Sequence, residues 1–294
     1  MRSALALLVA VSLSAAGTTA LAQNAQAPAA APAKCENPNA LGVTRVVEID
    51  TTGGPGFGFE HFKAYDFLRD KEVVLTFDDG PWPSHTASVL KALAEHCTKA
   101  LFFPIGKHAG YHPEILRRVA ADGHTVGSHT WAHKDLSRMT QEEAVAEFEK
   151  GVAAVSIALG NKPVPPFFRF PALRHPPEML KYLAERNVSM FSTDLDSFDF
   201  RTRKAEQVVA TVMKKLEKSG KGIVLMHDFQ QATANAAPEL LKRLKDGGYK
   251  VVQITGKTPL EPKQEYVDFV SKEMGGGIED ARPMSSVIKT IKEN

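Results

Sequence analysis

Two carboxylates stand side by side in Thr76-Phe77-Asp78-Asp79-Gly80-Pro81, where an apolar run ends in a Gly-Pro turn. Asp, Gly and Pro are ordinary turn residues, so this pair alone is equally compatible with turn chemistry. Further along, His129-Thr130-Trp131-Ala132-His133 sets two imidazoles four residues apart. On a helical turn that spacing puts both on one face, within reach of one ion. Histidines so spaced are more often surface or core residues than ligands. Together with one carboxylate of the Asp pair, however, two His make a divalent-cation site that keeps positions open for water and substrate.

The elements that must position these groups alternate in type. Short apolar runs at 73–77, 100–104, 124–128, 167–171, 189–193, 222–227 and 249–254 are separated by amphipathic, helix-like stretches at 84–95, 112–121, 141–159, 177–186, 204–219 and 232–246. Strands separated by helices imply parallel pairing through right-handed crossovers, in either an open doubly wound sheet or a barrel. Asp78 and Asp79, His129 and His133, Arg169, residues 194–199 and His227 each fall at or just after the end of an expected strand. A barrel gathers those ends round one mouth, whereas an open sheet spreads them along a crevice, so the expected fold is an α/β barrel of about seven parallel strands.

The remainder of the chain sets the context. Of 294 residues, 43% are hydrophobic and 24% charged, which suits a catalytic-sized domain with extensions. Lys and Arg number 36 against 34 Asp and Glu, without long basic runs, so no nucleic-acid footprint is expected. Arg2, an apolar run and Ala20-Leu21-Ala22 make residues 1–22 resemble a secretory signal peptide. The alternative, a membrane anchor, is disfavoured because the run falls well short of the roughly 20 residues needed to span a bilayer. Export to a periplasmic or extracellular space is therefore expected, with no membrane contact after cleavage. Residues 23–34 read as an Ala/Pro-rich linker, 35–258 as the catalytic domain and 259–294 as an appended tail, partly helical or disordered, without chemistry. Cys35 and Cys97 are the two cysteines. In an oxidising space they are read as a bridge, with two free thiols as the alternative.

In order and approximate spacing, five motifs resemble those of the polysaccharide deacetylases, the nodulation-deacetylase-like carbohydrate esterase family four. They are Thr76-Phe77-Asp78-Asp79-Gly80-Pro81; Gly123-His124-Thr125-Val126-Gly127-Ser128-His129-Thr130-Trp131-Ala132-His133; Arg169-Phe170-Pro171; Asp196-Ser197-Phe198-Asp199-Phe200; and Leu225-Met226-His227. The resemblance implies a distorted seven-stranded barrel and a metal-dependent hydrolase acting on an acetylated glycan. It implies Asp79, His129 and His133 as metal ligands, Asp78 as catalytic base and His227 as general acid. Arg169 then orients Asp78, and Asp199 pairs with His227. The backbone amide of Ala172, after Pro171, stabilises the oxyanion, and Leu225 and Phe200 wall the acetyl pocket. The ion is expected to be zinc, with cobalt or manganese compatible.

Simpler readings stand beside three of these roles. Arg169 fits a barrel-mouth ion pair, Asp199 a helix N-cap before Lys204, and Leu225 plain core. His61, His85, His96, His108, His112, His124 and His175 match no motif role and read as structural or exposed. The chain also departs from the family at Ala172, where an aromatic is usual, and at Phe200, where Trp is usual, which affects sugar contacts more than catalysis. The expected reaction is removal of acetyl groups from chitin-like or peptidoglycan N-acetylglucosamine by cutting a linear amide C–N bond. The rivals are an O-acetyl polysaccharide esterase, such as an acetyl xylan esterase, and an inactive glycan-binding module. A non-haem iron oxygenase shares the donor set but not the separate His227 or the strand-helix pattern.

Overall fold

Glu72-Val73-Val74-Leu75-Thr76-Phe77-Asp78 is buried at every position, which marks a strand covered on both faces. The computed structural model describes residue 35 and residues 37–279. The expected signal peptide, the linker and residues 280–294 of the expected tail lie outside the described residues. The strands are β1 (Arg45–Ile49), β2 (Gly56–Phe57), β3 (Glu72–Asp78), β4 (Leu101–Phe103), β5 (Thr125–Val126), β6 (Phe167–Phe168), β7 (Ser189–Phe191), β8 (Leu195–Asp196), β9 (Gly222–His227) and β10 (Lys250–Gly256). All seven expected runs are strands, namely β3 to β7, β9 and β10. β1, β2 and β8 are additional, and two of them are too short to leave a pattern.

Every pairing between the ten strands is parallel, and an isolated antiparallel bridge joins Val164 to Leu260. β9 pairs with β3, β3 with β4, and β4 with β5. A parallel bridge from Ser128 to Phe168 leads on to β6, which pairs with β7. β8 follows β7 directly and pairs back onto β9, so the pairings run round a barrel-like circuit. The circuit is distorted where β10 pairs with the start of β3 while β4 pairs only with its end. β1 and β2 add to β10 and β7.

The helices are α1 (His85–Glu95), α2 (Gly106–Tyr111), α3 (Pro113–Ala121), α4 (Gln141–Ala158), α5 (Pro177–Glu185), α6 (Ala205–Ser219), α7 (Gln231–Asp246) and α8 (Gln264–Glu279). Local sequence explains several ends. Thr140 and Glu143 form a reciprocal capping box before α4, and Gly220 closes α6 in left-handed backbone, φ 77°. α8 lies within the segment read as a tail. Its Tyr266, Val267, Val270 and Met274 pack with Trp131, Ala153 and Ala154, so it covers α4 and the chain between the two motif histidines. Cys35 and Cys97 are paired as a disulfide with Cα atoms 5.9 Å apart. No helix among the described residues is long and apolar enough to cross a membrane.

Candidate active site

Strand register sets the first pair of groups. Asp78 and His227 are the last residues of β3 and β9 and are direct register partners, so they stand side by side at the carboxyl end of the barrel. Alternation along a strand would send the Asp79 side chain away from that of Asp78. The backbone at Asp79 is left-handed, φ 72°, and this turn brings both carboxylates into one cleft. Gly80 follows because nothing larger fits. The buried Asp228 carboxylate accepts from the Gly80 amide at 3.1 Å and from the Thr86 hydroxyl. A Cβ on Gly80 would lie 2.1 Å from an Asp228 oxygen.

The histidine pair is held differently from the helical turn expected. Residues 129–133 form a non-helical loop with left-handed backbone at Thr130 and His133, φ 67° and 55°. Neighbouring helices fix it. Gly106 and Lys107 amides donate to the carbonyls of Thr130 and Trp131, both at 2.9 Å, and the Trp131 amide donates to the Glu147 carbonyl at 2.8 Å. The Ala132 amide donates to the Glu147 carboxylate at 3.0 Å. The loop lies so close to α4 that a Cβ on Gly151 would come within 2.6 Å of the Thr130 carbonyl carbon. The imidazoles still converge, with ring centroids 4.9 Å apart.

Asp79 Oδ1 lies 3.4 Å from Nε2 of both His129 and His133. One donor atom from each of the three residues falls within 4.8 Å of the others. Asp79 Oδ1 is buried and accepts no hydrogen bond among the described residues, a costly state for a carboxylate oxygen unless a cation satisfies it. His129 Nδ1 lies 2.6 Å from the Arg169 carbonyl oxygen and must carry the proton, leaving the Nε2 lone pair free for a metal. Burial pushes the His129 imidazole down, against the raising charges of Asp78 and Asp79, and so favours its neutral, ligating form. This nitrogen and oxygen donor set fits a divalent ion.

Behind the cleft, Arg169 is fully buried with its fork satisfied. It donates to Asp78 Oδ1 and to Thr76 Oγ1, both at 2.7 Å, and to the carbonyls of Ser192 at 2.8 Å and Phe191 at 3.3 Å. Asp199, also fully buried, takes the His227 amide and the His227 Nδ1 proton, both at 2.7 Å, and the Thr233 hydroxyl. It caps no helix, since Lys204 is the residue preceding α6. Burial alone would lower the His227 imidazole, but the hydrogen bond and charge of Asp199, with Asp79 and Asp78, raise it to about 9. With Nδ1 engaged, Nε2 is left for the cleft.

The cleft holds about 370 Å³ and is lined by Asp78, Asp79, His129, His133, Ala172, Phe200, Leu225 and His227 among others. Ala172 and Leu173 are both left-handed, φ 52° and 53°, and turn this backbone toward the opening. Pro171 is buried and does not line the cleft. Arg169 and Asp199 likewise act from behind it. Phe170, Leu173, Phe229 and Gln230 line the cleft without having been expected. Asp228 was also missed, although an acid directly after His227 and a glycine directly after the Asp pair were both visible signals. Its carboxyl is raised to about 7, chiefly by burial.

A model of the polysaccharide deacetylase family matches residues 67–191. A peptidoglycan-N-acetylglucosamine deacetylase of Bacillus cereus is 31% identical over 239 residues, covering 78% of this chain and 83% of that protein. A peptidoglycan-N-acetylmuramic acid deacetylase of Bacillus subtilis is 30% identical over 203 residues, covering 67% of this chain and 41% of that protein. The chain thus spans about two-fifths of the length of the first curated relatives it matches. Among solved structures, a peptidoglycan deacetylase of Bdellovibrio bacteriovorus superposes with a TM-score of 0.66 at 38% identity, over 73% of this chain and 59% of that one. Ordered motifs, barrel-like fold and relatives agree: the chain belongs to the polysaccharide deacetylase family.

Proposed function

We propose that this chain is an exported hydrolase that uses a divalent ion to remove acetyl groups from an N-acetylated glycan, either chitin-like or peptidoglycan N-acetylglucosamine. The observation that carries this reading is the buried, unpartnered Asp79 Oδ1 facing two imidazole Nε2 atoms at 3.4 Å, beside Asp78 and His227. Two nitrogens and one carboxylate oxygen favour zinc, with cobalt or manganese as substitutes. Asp79, His129 and His133 would hold the ion, which would supply Lewis acidity for the hydrolysis.

The chain's own residues handle the protons. Asp78, its Oδ1 fixed by Arg169, takes a proton from the attacking water through its free oxygen. As the carbonyl carbon becomes tetrahedral, the Ala172 amide donates to the developing oxyanion. His227, kept protonated by Asp199, gives its Nε2 proton to the departing nitrogen. Water and amide thereby become acetate and free amine. Leu225 and Phe200 enclose the acetyl methyl.

The relatives named above are N-deacetylases, which favours the amide over an O-acetyl ester. Retention of Asp78, Asp79, His129, His133 and His227 together argues against an inactive glycan-binding module. Export rests on the first 22 residues alone. The test is acetate release from N-acetylglucosamine oligomers, peptidoglycan and acetylated xylan, with and without chelator. The expected result is chelator-sensitive release from the first or second substrate. Release that survives exhaustive chelation overturns the mechanism, and release from xylan alone overturns the substrate.

A further inference from the structure

Two exposed aromatic side chains follow strands whose ends form the cleft. Phe200, 50% exposed, follows β8 and lies edge-on to His227 with centroids 5.7 Å apart. Trp82, 40% exposed, follows β3 and packs against His108 and His112 of the crossover after β4, whereas Phe200 follows β8 on the far side of β9. Phe200 lines the cleft itself, whereas Trp82 lies outside it. Trp82 is three residues beyond Asp79, which limits their Cα separation to about 11 Å.

The indole is framed by two imidazoles of the next crossover, one on α2 and one at the junction of α2 and α3. His108 lies 5.4 Å from it and His112 6.0 Å, both edge-to-face. His108 is also tied to the metal-site backbone. Its Nδ1 lies 2.6 Å from the Asp79 carbonyl oxygen and must donate to it, which leaves Nε2 free as an acceptor in the neutral ring. Tyr111, 62% exposed, is three residues past His108 on α2. A large apolar face bordered by hydrogen-bonding edges suits a ligand that is itself apolar on one face and hydroxylated at its rim, and a pyranose ring has that character.

We propose that Trp82, with His108 and His112, forms a second sugar subsite that binds another ring of the same glycan chain whose acetyl group sits at Asp79. The proposal rests on the glycan-deacetylase reading and deepens it. One pyranose face stacks on the indole while ring hydroxyls bond the two imidazoles. Trp82 is a specificity-determining residue in this account and takes no part in bond cleavage, so it contributes to long substrates and not to small acetyl esters.

The test compares wild type, Trp82→Ala and Trp82→Phe on an N-acetylglucosamine pentamer and on an activated aryl acetate. Trp82→Ala should raise KM for the pentamer by about tenfold, the scale of one aromatic stacking contact, with little change in kcat. Trp82→Phe should recover most of that loss, and aryl acetate hydrolysis should stay within about twofold of wild type. A pentamer KM unchanged in Trp82→Ala, or equal losses on both substrates, overturns the subsite. An independent readout separates this from failure of the deacetylase reading. The two tryptophans are Trp82 and the buried Trp131, so pentamer binding should alter the emission of Trp82 whether or not acetate is released. Pentamer titration that leaves the emission of wild type and Trp82→Phe equally unchanged overturns the subsite. Emission that changes without acetate release overturns the deacetylase reading alone.

Discussion

The two sides of the cleft are built by opposite means. Asp78 and His227 end adjacent strands, are fixed by pairing register, and are each held from behind by one fully buried ionic partner, Arg169 or Asp199. His133, Ala172 and Leu173 stand in loops whose backbone is left-handed, φ 55°, 52° and 53°, a conformation costing about 1 kcal/mol or more per non-glycine residue. Their positions depend on what packs around them. Asp79 is the hinge between the two, strand-borne but turned by its own positive φ. The comparison teaches that the proposed proton-transfer pair is set by the sheet, and the proposed metal-binding histidines by a loop braced from α2 and α4. Damage to the two sides should therefore be separable.

The largest effect should come from His129→Ala. It removes a proposed ligand whose Nδ1 donates to the Arg169 main-chain carbonyl, so metal content should fall well below one ion per chain by elemental analysis, with loss of turnover and little change in circular dichroism. On the strand side, Arg169→Met should cost about 3–5 kcal/mol in denaturant unfolding, because it leaves the Asp78 charge buried and unpaired. Equal metal loss in this variant would break the division between the two sides.

Gly151→Ala tests the brace behind the histidine loop. Its Cβ would meet Thr130 at 2.6 Å, so stability should drop by about 1–3 kcal/mol and metal affinity should weaken, while the His227 limb of the pH profile stays in place. Asp199→Asn tests the opposite side. His227 is raised from 6.5 to about 9, so the alkaline limb of kcat should move to lower pH without its anionic partner. The linked stability has the same sign. It is fully present below the unfolded value near 6.5 and is lost as pH rises through about 9, and Asp199→Asn should flatten that dependence in thermal melts. The smallest effect should be at Ala172. Ala172→Gly should relieve the left-handed backbone and stabilise by up to about 1 kcal/mol with the amide still available.

The sequence made the strand side legible because its information is periodic. Seven apolar runs and six intervening helices stand where expected, and reactive residues at strand ends led to the barrel mouth. The loop side was less legible. A spacing of four between His129 and His133 suits a helix equally well, and no glycine marks the left-handed positions at Thr130, His133 or Ala172. Packing from α2 and α4 overrides local preference in the 129–133 loop. Phe170, Phe229 and Gln230 line the cleft only because the chain turns after each strand, which periodicity does not report. α8 carries apolar residues at helical spacing, Tyr266, Val267, Val270 and Met274, but the glycines at 275–277 obscured the pattern.

The measurement that bears most directly on the division of labour at the Asp pair is metal content and acetate release determined together for Asp78→Asn and Asp79→Ala. Asp78→Asn should keep one ion per chain while turnover falls by about 100-fold or more, the scale of general-base catalysis. Asp79→Ala should lose both. If Asp78→Asn loses the ion as Asp79→Ala does, or keeps wild-type turnover, Asp78 is not the base and the account fails at its centre.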